Sequence, residues 1–217
     1  MTYVDPIAGT PLRIQVDEDQ LAELEQTLQA FPREIPQVAA RALNRANSKV
    51  RSVMRKKAAK RLGVRQKAVK RRIWIKKARR DRLTARTRAG VVGLPLIEFR
   101  ARQLKTKGTR VRIQGQTRYF PHAFIATMPS GHEGVYERRW AKGSARSAEI
   151  GAARGGDRPG RLPIYELRSP ALTVVLTRAD VDEMLAAGRE VLEKRLAAEA
   201  ERVLQRKLKR RRRAEDI

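Results

Sequence analysis

The sequence predicts an α+β fold: a long basic N-terminal helix and a C-terminal helix packed on an antiparallel β-sheet. Three observations carry that expectation. From Ile35 to Leu62 apolar residues such as Val38, Ala42, Leu43, Ala46, Val50, Met54 and Ala58 recur at three- and four-residue steps, which is one face of an α-helix. From Ile73 to Arg138 the apolar period shortens to two, as half-buried strands require. From Val181 to Leu204 the three-to-four step returns through Met184, Leu185, Gly188, Val191, Leu192, Leu196 and Val203.

Taken in order, Leu12 to Val16 alternate apolar and polar and read as a short strand. Asp17 and Gln20 then have capping-box spacing, in which each side chain satisfies the other's free helix-start N–H. They open a helix through Leu21, Leu24 and Leu28 that Phe31 and Pro32 end. In the long helix, Pro36 falls in the first turn, where its missing N–H costs nothing, and Gly63 can take the left-handed cap conformation. Val64 to Arg72 adds one or two helical turns.

Ile73 with Ile75, and Leu83 with Ala85 and Thr87, read as the arms of a hairpin. Leu94 to Phe99 reads as a further strand, with Pro95 placing it at an edge or a strand start. Val111 and Ile113 alternate with Arg110 and Arg112, Gln114-Gly115 turns the chain, and Thr117 to Phe120 returns. Ala123 to Thr127 continues extended and pairs with Val135 to Arg138. One antiparallel sheet is expected, with one face toward the helices and one rich in arginine.

Residues 143 to 160 hold Gly, Ala, Ser and Arg without periodicity, the composition of a mobile surface loop. Thr177 and Asp180 then mark a second capping box. The expected division is an α+β domain over 1–177 and a C-terminal helix with a polybasic tail over 178–217.

Lys and Arg number 50 against 23 Asp and Glu, a formal net charge of +27. The excess is concentrated: Arg41 to Arg88 contains 21 cations and one acid, Asp81. That exceeds what solubility requires and implies a polyanion or an acidic protein neighbour. Leu, Ile, Val and Phe together number 50 of 217 residues. This lies close to the roughly 20% below which a highly charged chain is expected to stay unfolded. Apolar area is therefore expected to be completed between copies of the chain, as a homo-oligomer. The chain contains no cysteine, which excludes disulfides and thiolate metal sites. The first residues lack a basic leader and an apolar run, and no segment approaches the roughly 18 apolar residues of a membrane span. A soluble, unexported protein without membrane contact is expected.

Catalytic groupings are not legible. His122 and His132 have no ligand spacing around them, Ser130 beside His132 makes no triad, and the carboxylates Asp81, Glu98, Glu133 and Glu137 are scattered. No glycine-rich phosphate loop is present. The expectation is no enzyme, no metal and no cofactor. Candidate contact residues are Arg41, Arg45, Arg51, Arg55 and Lys56 on the basic helix and Arg210, Arg211, Arg212 and Arg213 in the tail. They could meet the phosphates of genomic DNA without reading sequence, or the acids of a neighbouring subunit, or only solvent. Trp74 and Trp140 stand beside basic residues where they could stack on bases, although a half-buried sheet residue is the favoured reading of Trp74.

Four segments in order are similar to the minor tail protein Z family of tailed bacteriophages, the tail completion proteins. They are the Ala-Leu-Asn-Arg-Ala run at 42 to 46; Gly93 to Gln103, with Leu96 and Phe99, followed by Lys107-Gly108; Phe120-Pro-His-Ala-Phe124-Ile125 with Gly131-His132 and Val135 to Arg138; and Leu162-Pro163-Ile164 leading to Ser169-Pro170. Together they cover roughly residues 40 to 175. The loop at 143 to 160 and the polybasic tail depart from the family pattern.

The resemblance implies a structural virion protein made in the host cytoplasm. It would form a ring, commonly sixfold, at the head-proximal end of the tail, between the tail tube and the head connector, with no enzyme activity. A sequence-independent nucleic-acid-binding protein using its basic helix is the alternative reading.

Overall fold

The computed structural model describes residues 12–138 and 164–215. The chain forms two compact units. The first takes the chain up to Arg61 together with Gln66–Val92 and everything from Ala171 onward; the second takes Leu62–Arg65 and Gly93–Pro170.

The first unit is built from β1 (Leu12–Gln15), α1 (Glu18–Thr27), the long helix α2 (Ile35–Leu62), α3 (Gln66–Lys70), β2 (Ile73–Lys76), β3 (Thr84–Ala89), the short helix α4 (Leu172–Val175) and the C-terminal helix α5 (Arg178–Glu215). Both expected capping boxes form: the Asp17 carboxylate accepts from the Gln20 N–H at 3.0 Å, and the Thr177 N–H donates to Asp180 at 3.0 Å. Gly63 adopts φ +73° after α2, the left-handed stop its position predicted.

The strands form an antiparallel sheet in the order β1-β3-β2, so β3 is central. The expected β2–β3 pairing is present, with Ile73 opposite Ala89 and Ile75 opposite Thr87. The inner face buries Leu12, Ile14, Ile73, Ala85 and Thr87.

Asparagines of α2 fasten this sheet. Asn44 exchanges two hydrogen bonds with the Ala78 backbone, at 3.0 and 2.8 Å. The buried Asn47 donates to the Lys76 and Arg86 carbonyls and accepts from the Thr87 hydroxyl. The two asparagines of the Ala-Leu-Asn-Arg-Ala-Asn run, Asn44 half-buried and Asn47 buried, are thus both hydrogen-bonded, which fixes the register of helix on sheet. Helices α2 and α5 approach closely at Gly188, where an added Cβ would lie 2.7 Å from a Val50 methyl carbon. The buried stripe of α5 runs through Val181, Met184, Leu192, Leu196, Ala200 and Val203, following the predicted period.

The second unit holds two more antiparallel sheets. β4 (Arg102–Gln103), β5 (Thr109–Ile113) and β6 (Gln116–Phe120) form one, and β7 (Ala123–Thr127), β8 (Glu133–Arg138) and β9 (Ile164–Glu166) the other. The β5–β6 hairpin turns at Gln114 and Gly115, both at positive φ, the geometry that matches strand twist. The expected β7–β8 pairing is present, with Ile125 opposite Val135. The two sheets are joined where the Thr109 hydroxyl donates to the Ala123 carbonyl at 2.9 Å and the Ile125 N–H donates to the Gln103 side chain at 2.9 Å.

Two expectations are corrected. The α+β class with antiparallel strands holds, but among the described residues the strands form three sheets of three, not one. Period-two patterning marks strands but not their partners, and β1 pairs with β3 some seventy residues away. The expected strand at Leu94 to Phe99 is a 3-10 helix over Leu96–Phe99, behind an isolated bridge from Pro95 to Arg168. At three residues per turn Leu96 and Phe99 share one face, and both are buried. The expected loop at 143 to 160 and Pro163 lie outside the described residues.

Candidate partner-contact surfaces

The cations of α2 divide by face. Arg41, Lys57 and Arg61 turn toward α5 and find acids there. Arg41 lies 3.7 Å from Glu199, Lys57 pairs with Glu183 and lies 3.9 Å from Asp180, and Arg61 pairs with Asp180 and donates to the Thr177 hydroxyl at 3.0 Å. Burial pushes the Asp180 carboxyl up, but the bonds from Arg61 and Thr177 outweigh it and hold the group below its ordinary value. At the other end of the helix pair Glu34 accepts from Lys207 at 2.8 Å, with Arg206 at 3.8 Å. The Lys207 bond is the main cause of a lowered Glu34 pKa.

Sequence reasoning weighed DNA, a neighbouring subunit and solvent as partners for α2, and missed the acids of α5. A signal was available: Glu199 falls at the stripe spacing of Leu192, Leu196 and Val203, where a carboxylate is buried and needs a cation.

Arg45, Lys49, Lys56 and Lys60 fall on one exposed stripe of α2, and none makes an ion pair with a described residue. Arg51 and Arg55 are half-buried, and the Arg55 Nε is enclosed without a hydrogen-bond partner among the described residues. Arg210 to Arg213 are exposed on the last turns of α5, where cations suit the negative helix end.

The segments at Gly93 to Gln103, Lys107-Gly108, Phe120-Pro121 and Ser169-Pro170 assemble in the second unit. Ser169 donates its N–H to the Leu94 carbonyl at 2.8 Å, and its hydroxyl accepts from the Leu94 N–H at 3.0 Å. Gly93 lies against the same backbone; a Cβ there would stand 1.7 Å from the Ser169 carbonyl oxygen. A Cβ on Gly108 would stand 2.1 Å from the Phe120 carbonyl oxygen. Leu96 and Phe99 are buried, and Phe120 and Phe124 are half-buried. Phe124 lies 6.3 Å from the Tyr136 ring, with the Arg138 guanidinium over its face. The order of these motifs along the chain therefore reflects one packed cluster.

His122 is exposed, and His132 reaches Glu166 at 2.6 Å beside Arg168. Among the described residues no group of three or more His, Asp or Glu could hold a metal ion, and no helix is long and apolar enough to cross a membrane.

A family model for the prophage minor tail protein Z matches residues 19–211, nearly the whole chain. The chain belongs to the prophage minor tail protein Z family. As a minor tail protein Z, it is a structural protein of bacteriophage tails. Comparison with curated proteins gives no match, and comparison with solved structures gives none either. In this minor tail protein the motif cluster builds the core of the second unit, whereas the exposed cations of α2 and α5 lie on the surface of the first.

Proposed function

We propose that this minor tail protein Z completes the tail at its head-proximal end, as a ring of identical subunits between the tail tube and the head connector. Sixfold symmetry, the family's common arrangement, is our expectation for the ring. The protein is made in the host cytoplasm and ends in the neck of the virion, and its role is structural, not catalytic. The observation that carries this reading is the match of the minor tail protein Z model over residues 19–211. A second feature supports it. The exposed Arg45, Lys56 and Lys60 ask for acids or phosphates from outside the chain, such as a neighbouring subunit or the genomic DNA in transit.

The test is electron microscopy of particles made without the protein. Filled heads and finished tails that stay apart, and that join when purified protein is added, are expected. Particles that join normally in its absence would overturn the proposal.

A further inference from the structure

The outer face of the β1-β3-β2 sheet carries cations that nothing in the described fold neutralises. Strand side chains alternate between faces. With Leu12, Ile14, Ala85 and Thr87 turned inward, Arg13, Arg86 and Lys76 turn outward. Arg13 pairs in register with Arg86, and Arg86 with Lys76, so three cations lie side by side across the sheet. Two residues along, Trp74 stands opposite Arg88. Like charges directly opposite one another weaken a sheet. No described carboxylate forms an ion pair with any of these four cations.

Trp74 is 52% exposed, more open than the half-buried sheet residue expected of it. Its ring is nevertheless placed: a Cβ on Gly90 would lie 3.3 Å from the ring carbon Cζ3, so the edge of the indole rests on the glycine. An open aromatic ring held among cations on a sheet is the combination that binds strands with unpaired bases. The cations take phosphates without reading sequence, and the ring stacks on any base. An acidic protein surface would neutralise the cations but would give the positioned ring nothing to do.

We propose that Arg13, Lys76, Arg86, Arg88 and Trp74 form a sequence-independent platform for a nucleic-acid strand with unpaired bases. The platform is distinct from the α2 stripe and does not depend on ring assembly or on a place in the tail.

The test titrates the full-length protein, with Trp140 replaced by Phe so that Trp74 alone reports, against a short oligothymidylate, a duplex of the same length and oligoglutamate. Oligothymidylate should quench the indole, and affinities, that of Trp74→Ala included, are read from the anisotropy of a dye-labelled oligonucleotide with the unlabelled ligands as competitors. Trp74→Ala should weaken its binding roughly five- to 150-fold. Each cation removed should reduce the slope of log affinity against log salt by about 0.7. Arg86→Glu separates binding from folding, because a carboxylate between Arg13 and Lys76 should raise Tm while affinity falls. Unchanged affinity in Arg86→Glu would overturn the proposal. So would oligothymidylate binding that is indifferent to Trp74→Ala, since the face would then contact backbone alone. Oligoglutamate bound as tightly as the oligonucleotide would also overturn it and assign the face to an acidic protein.

Discussion

Phe99 is the largest fully buried side chain among the described residues, and Phe99→Ala should leave a cavity costing about 3 to 5 kcal/mol. Chemical denaturation of the purified protein measures that directly. The next residue offers the opposite change. Arg100 holds φ +54° and ψ +45°, a left-handed conformation that a Cβ disfavours, so Arg100→Gly should stabilise by about 1 kcal/mol. Gly108 also has positive φ, but a Cβ there would collide with the Phe120 and Pro121 carbonyl oxygens. Gly108→Ala should therefore destabilise by more than Arg100→Gly stabilises, in the same denaturation series. At this scale the sequence is informative about burial and uninformative about backbone. Phe99 is recognisable as core from its apolar neighbours, but nothing in its type says that Leu96 and Phe99 share a 3-10 turn instead of a strand face.

Helices α2 and α5 are held at one end by the Asp180, Arg61, Lys57 and Thr177 cluster. The Asp180 carboxyl is depressed below its ordinary 3.8 in the fold. A depressed carboxyl stabilises the folded state above its unfolded value, and that contribution disappears as pH falls through the lower folded value. Asp180→Asn should therefore lower Tm at neutral pH, and the gap to the wild type should close as pH drops below about 3.8. A gap that stays constant through that range would assign the cluster's effect to packing. The helices themselves were legible because long runs with a clear period and marked ends allow few alternatives: both capping boxes and the Gly63 stop lie where their spacing predicts. The sheets were not, because strand pairing depends on which segments meet in space. β1 is four residues whose partner lies beyond the whole of α1 and α2. The candidate contact surface was legible as charge but not as allocation. Arg41 on the candidate list, and Lys57 and Arg61 beside it, are engaged by acids of α5 that come together with them only in the fold.

For the whole molecule, Arg45 and Lys56 are the best probes of what meets the exposed stripe of α2, because both are exposed and carry no described ion pair. Arg55 is less suited, since its Nε is enclosed and a substitution there also changes packing. A DNA-facing stripe needs only positive charge near a phosphate path, so Arg45→Lys should be tolerated. Glutamate at both Arg45 and Lys56 should then leave joined particles that fail to deliver DNA. A subunit contact is stricter, because the arginine fork holds a carboxylate bidentately and lysine meets it as a point charge. Arg45→Lys should then already weaken head-to-tail joining, and the double glutamate should abolish it. We expect the second pattern, since a wall that bound every phosphate would impede a polyanion sliding past it. Infectivity and particle morphology, scored side by side for the two variants, distinguish the cases. Normal joining and delivery in both would leave the stripe a solvated face and remove the contact role we assign to it.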